Sequence, residues 1–194
     1  MGKLRFVSEQ SSVPNVNMDG ATIDASYRRR LKVKNPNTSD EDLAEYAFDM
    51  DLATRLLVAR HPNVSVQTLE KLAGDESVKV RIAVAQHPST TARILERLLT
   101  NFGDDVYICR NIAVHPNATA GILATLAHGE DAVVLYNVAR HPNTFSETLG
   151  RLLECKYESV RKVARQKSQE IAKKQSSAPP KHKKFVPVNR TKCF

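Results

Sequence analysis

The chain has 194 residues, 41% hydrophobic and 26% charged, with a formal net charge of +8. This composition fits a soluble globular domain with tails, and no apolar run is long enough to span a bilayer. Three widely spaced cysteines, Cys109, Cys155 and Cys193, argue against a disulfide framework or a Cys-rich metal site. Together with the lack of an apolar leader in "MGKLRFVSEQSS", they suggest a reducing, cytoplasmic setting. The charge is uneven: residues 1–34 carry +4, residues 35–166 carry −3 and residues 167–194 carry +7. The body is mildly acidic and the basic character sits in two arms.

Residues 1–27 read as an arm and cap, and residues 28–166 as a repeat region. His-Pro pairs stand at His61, His87, His115 and His141, at steps of 26, 28 and 26 residues, and "NPN" at Asn35 fills the same slot one step earlier. Around each anchor the apolar positions recur. Leu43, Leu69, Leu95, Leu123 and Leu149 lie eight residues after it, and Tyr46, Leu72, Leu98, Leu126 and Leu152 eleven after. Val33, Ala59, Ala85, Ala113 and Ala139 lie two before. A half-unit at Val160–Gln166 puts Gln166 in the anchor slot. Each unit predicts a first helix before the anchor, ended by Pro. A second helix follows, N-capped by Ser39, Ser65, Thr91 or Thr119 and closing near Gly74, Gly103 or Gly129. The fourth of these caps is followed by a unit with Phe145 at the capping position, where Thr144 or Ser146 would substitute. The two-residue insertion near "LTNFGDD" predicts a longer loop. Self-similarity of this period predicts an all-α solenoid of about five two-helix units. Residues 167–194 read as the end of a charged helical extension followed by a flexible basic tail.

"VKVRIAVAQHPSTTARILERLL", "TRLLVARHPNVSVQTLEKLAGDE" and "LYNVARHPNTFSETLGRLLE" resemble the unit of the leucine-rich repeat variant (LRV) family, over roughly residues 28–166. The resemblance implies a right-handed superhelix of short helices, some of them 3₁₀, related to HEAT-like solenoids. It implies little about activity. An iron–sulfur cluster found on an N-terminal Cys cluster in one family member does not transfer, since no cysteine precedes Cys109.

The four histidines invite a metal reading, which the repeat spacing opposes. Equivalent positions on neighbouring helices lie about 8–10 Å apart, whereas zinc needs its nitrogens at about 2.0–2.1 Å. The side chains are expected instead to satisfy carbonyls at the first-helix end while Pro and Asn make the turn. No Gly-rich phosphate loop or H-E-x-x-H occurs, so no enzyme activity, cofactor or small-molecule substrate is expected. The carboxylate pairs Asp75/Glu76, Asp104/Asp105 and Glu130/Asp131 are expected at first-helix starts, complementing the macrodipole. A HEAT-like DNA glycosylase is the remote alternative, weakened by the absence of Trp and an aromatic content of 6%.

Binding residues are sought in two basic rows. One position before the anchor stand Lys34, Arg60, Arg140 and Arg165; five or six before it stand Arg29, Arg55, Arg81, Arg110 and Arg161. The rows read either as ridges gripping phosphates or acidic side chains, or as partners of the repeats' own Asp51 and Asp75. In the tail, Lys181, Lys183, Lys184, Arg190 and Lys192 are interleaved with Phe185 and Phe194. The expected partner is DNA or RNA, with an acidic protein as the alternative. No membrane partner is expected, because no amphipathic helix accompanies the basic cluster.

Overall fold

The computed structural model describes residues 24–176. Among these the chain is all-helical, with eleven α-helices and no strand. The helices come as α1 (Ala25–Lys34) and α2 (Asp40–Tyr46), α3 (Leu52–Ala59) and α4 (Val66–Leu72), α5 (Val78–Gln86) and α6 (Ala92–Phe102). They continue as α7 (Val106–Val114) and α8 (Ala120–Leu126), α9 (Ala132–Arg140) and α10 (Ser146–Leu153), and a long α11 (Glu158–Ser176). No 3₁₀ helix occurs among the described residues, contrary to the implication of the resemblance: even the seven-residue helices are α. None of the described helices is long and apolar enough to cross a membrane. The chain divides into two compact units, residues 1–122 and 123–194.

In the first unit α1, α3, α5 and α7 pack side by side in sequence order, with α2, α4 and α6 against them. Leu43, Leu69 and Leu95, eight residues after each anchor, are fully buried. Burying one such leucine is worth about 1.5–3 kcal/mol. The N-caps follow the local code: Ser39, Ser65, Thr91 and Thr119 accept from the backbone N–H of Asp42, Thr68, Ile94 and Ile122. Asp51 and Asp105 cap α3 and α7 in the same manner. The extra two residues before His115 do not lengthen a loop. They are taken up by α6, which has 11 residues where α4 has 7, so the link to the next helix shortens. The added turn carries Phe102, whose ring centre lies 4.0 Å from the Arg81 guanidinium. Gly103 closes α6 with φ −64°, not in a left-handed conformation. Its reason is space, since a Cβ there would sit 2.5 Å from the Leu99 carbonyl oxygen.

The anchors are joined in a ladder. His61 Nε2 lies 3.0 Å from the Asn35 carbonyl oxygen, His87 Nε2 3.1 Å from that of His61, and His115 Nε2 3.0 Å from that of His87. On the other side of each ring, Nδ1 accepts from the backbone N–H two residues on, at Asn63, Ser89 and Asn117. A ring nitrogen that accepts from an amide carries no proton, so the ring is neutral with its hydrogen on Nε2, donating to the carbonyl. The expected partner, a carbonyl at a helix end, is therefore that of the preceding repeat. Asn35 does half of this: its Oδ1 accepts from Asn37 N–H at 3.0 Å. Asn63 and Asn117 add a second stitch, donating to the carbonyls of Pro36 and Thr90 at 2.7 and 2.8 Å.

In the second unit α11 packs against α9 and α10, and Leu149, Leu152, Val160 and Ala164 are buried. Asp131 caps α9. Phe145 occupies the N-cap of α10 without a side-chain bond. Thr144 is no substitute, because its hydroxyl donates to the Val138 carbonyl. The register of the last half-unit also differs from expectation. Lys167, 26 residues after His141, donates from Nζ to the His141 carbonyl. The anchor is thus Lys167, not Gln166. Arg161 then falls in the slot of Arg81, each donating Nη1 to the carbonyl six residues back.

Two outcomes follow for the ladder. His87→Asn keeps the turn bond but is too short to reach back, leaving the buried His61 carbonyl with the Val64 N–H alone, and should cost about 0.5–1.5 kcal/mol, read from urea unfolding. Burial, aided by His115 and His61, holds the His87 imidazole below its ordinary pKa of 6.5. A depressed pKa means that the unfolded chain takes up a proton the folded ring refuses. Its contribution is full above pH 6.5 and is lost as pH falls below it. The urea midpoint should therefore fall between pH 7.5 and 5.5, and fall less in His87→Asn.

Candidate functional site

The first helices carry two sets of basic side chains with different fates. The inward set lies six residues before the anchor. Arg55, with a side chain 9% exposed, donates Nε and Nη2 to the two Asp75 carboxylate oxygens at 2.7 and 3.2 Å. Nη2 also reaches Glu76 Oε1 at 2.9 Å, and Nη1 the carbonyls of Asp49 and Met50. The Asp75 hydrogen bond, working against burial, raises the Arg55 pKa further and fixes its charge. Arg29 makes a simpler pair, Nε to one Asp49 carboxylate oxygen, with its side chain partly exposed. Arg81 donates to the carbonyls of Asp75 and Glu76 and stacks on Phe102 in place of a carboxylate. Arg161 donates to Cys155 O. The row is continued by Cys109 rather than Arg110, with Sγ 3.1 Å from the Gly103 carbonyl oxygen. These arginines hold the framework, so the alternative of pairing within the repeats describes Arg29 and Arg55.

The outward set lies one, four, five and eight residues before the anchor, one stripe of a 3.6-residue helix. In the first unit it carries Lys34, Arg60, Lys79 and Arg110, with Arg30 bonded to Asp51 at 3.1 Å. Between them stand Tyr27, Leu31, Tyr107 and Val114, exposed at 47%, 47%, 60% and 57%. No Asp or Glu occupies any position of this stripe. The carboxylates sit instead at first-helix N-termini, as caps, and on the second helices, where Glu70 pairs with Arg93. Arg110 lies over the Tyr107 ring at 5.7 Å from its centre, a cation–π contact that leaves the other ring face available.

The second unit repeats the pattern. Arg140 is exposed and lies over the Tyr136 ring at 5.7 Å. Lys162 and Val163 occupy the matching stripe of α11, and Arg165 is exposed on the same helix. Lys181, Lys183, Lys184, Arg190 and Lys192 lie outside the described residues, as does Cys193. Lys79, Lys167 and the tyrosines of the stripe were not among the predicted binding residues, because the sequence reading followed basic residues at two offsets from the anchor only. The usable signal was the i, i+3, i+4, i+7 spacing back from each anchor.

No metal centre is formed among the described residues by three or more His, Cys, Asp or Glu side chains. Both ring nitrogens of His61, His87 and His115 are engaged with backbone. Cys109 and Cys155 form no disulfide, and Cys109 is buried.

The two arginine sets should separate by stability. Arg55→Ala strands the buried Asp75 carboxylate and should cost about 3–5 kcal/mol, whereas Arg60→Ala on the outer stripe should change stability by less than about 0.5 kcal/mol. Urea unfolding of the two variants side by side checks this. Comparison with known proteins gives no further guide to the site: no family model, curated protein or solved structure matches the chain.

Proposed function

We propose that this protein is a non-enzymatic, cytoplasmic nucleic-acid-binding solenoid of LRV-like repeats, gripping the phosphate backbone along the outer stripe of its first helices. The observation that carries this reading is charge segregation. A sequence whose residues 35–166 sum to −3 nevertheless presents a stripe of cations without a carboxylate. The acids are withdrawn to caps and second helices. A row of cations interleaved with exposed tyrosines combines phosphate attraction with planar surfaces on which bases stack. Arg60, Arg110 and Arg140 are the principal grips, with Lys34 and Lys79. The basic tail at Lys181, Lys183, Lys184, Arg190 and Lys192 adds attraction, and Arg165 lies on the helix that precedes it. The repeat ladder of the first unit, in which His61, His87 and His115 each bond to the anchor before, supports the solenoid reading. Cys109 and Cys155 are in no disulfide, which suits a reducing compartment. No cofactor is required.

The test is binding of the full chain to random-sequence DNA and RNA across a salt series. Affinity should fall with salt by about 0.9 log units per log unit for each duplex phosphate neutralised. Arg60→Glu with Lys79→Glu should weaken binding at least tenfold and flatten that slope, and truncation after residue 176 should flatten it as well. If the full chain binds neither DNA nor RNA at low salt, the reading fails. The same stripe then becomes a docking face for an acidic protein.

A further inference from the structure

A cleft of about 440 Å³ lies in the second unit between α9 and α11, lined by Tyr136, Arg140, Val163, Gln166, Lys167 and Glu170. Its floor contains a substitution that the framework does not require. At positions 61, 87 and 115 a neutral imidazole satisfies the preceding anchor's carbonyl. At position 167 a lysine does so, bonding to the His141 carbonyl. The lysine brings a full charge into a half-buried place, and burial holds its ammonium below the ordinary value of 10.5, with Glu170 opposing. One neutral donor would have sufficed, so the charge answers some other demand. Arg140, stacked on Tyr136, faces the same cleft. Against these two cations stands one carboxylate, Glu170, which already accepts from Gln166 Nε2 at 3.2 Å. The space falls in the range of small-ligand sites.

We infer that this cleft is a subsite for a single nucleotide of an unpaired strand, its phosphate held by Arg140 and Lys167 and its base laid against the Tyr136 ring. The inference rests on the nucleic-acid reading above and narrows it. A base inside a duplex is stacked on its neighbours and cannot turn to a side chain, whereas a single strand exposes both phosphate and base face. The preferred ligand is therefore single-stranded.

The probe is a fluorescent five-residue thymidine oligonucleotide, titrated into the full-length chain and followed by anisotropy at several salt concentrations. Lys167→Gln keeps a neutral donor for the His141 carbonyl but removes the charge. It should weaken binding about tenfold and reduce the salt slope by about 0.7, one single-strand phosphate. Lys167→Arg should bind like the wild type. Tyr136→Leu should weaken binding about fivefold or more with the slope unchanged, since stacking releases no counterion. If Lys167→Gln melts well below the wild type, Arg140→Gln on the exposed side of the cleft supplies the same readout. Unchanged affinity and slope in both charge variants, or binding to duplex DNA without binding to the oligonucleotide, overturns the subsite and leaves the nucleic-acid reading standing. No binding to any nucleic acid removes both.

Discussion

The bond from each anchor histidine to the carbonyl of the anchor before it is the interaction on which the first unit depends. It connects residues 26 or 28 apart in sequence, and it runs through the turn that separates the two helices of each pair. The His-Pro-Asn signature follows from it. Proline ends the first helix without needing an amide partner. The next amide, with nothing of its own to bond, donates to Nδ1 of the histidine and so sets the tautomer that lets Nε2–H reach backward. Asn35, the first anchor among the described residues, keeps only the local half of the device.

The threonines complete the accounting of backbone groups. Three residues after the anchor, Thr38, Thr90 and Thr144 donate their hydroxyls to carbonyls six residues back at the first-helix end. Val64 and Ala118 take that slot in the other units and are buried as apolar groups. The buried polar groups of the turns are thus almost wholly paired with backbone.

On those helices one residue of offset decides between framework and surface. Arg55 and Arg60 are five residues apart, about 140° around an α-helix. One enters a buried carboxylate network and the other stands in solvent. Inward arginines exchange hydration for a bidentate carboxylate or for carbonyls, so their charge is consumed within the fold. Outward ones keep their charge available, and with the carboxylates sequestered as caps they produce a positive stripe on a body that is net acidic.

Much of this was legible in the amino-acid order. The helix pairs, the Ser and Thr caps, the turn at each His-Pro and the buried leucines at eight and eleven residues past the anchor all rest on contacts within one or two helical turns. Capping and periodicity determine such contacts. The tertiary structure alone decided four further matters. It chose the carbonyl each histidine reaches, and it turned Arg29, Arg55, Arg81 and Arg161 inward while Arg60, Arg110 and Arg140 stayed outward. It also moved the final anchor from Gln166 to Lys167 and absorbed the insertion before His115 into α6 rather than a loop. The histidine, Arg55 and Lys167 contacts among them join residues some 20 to 28 positions apart. They depend on the rotation of each helix against its neighbour and on side-chain reach, quantities that exist only once the helices are packed.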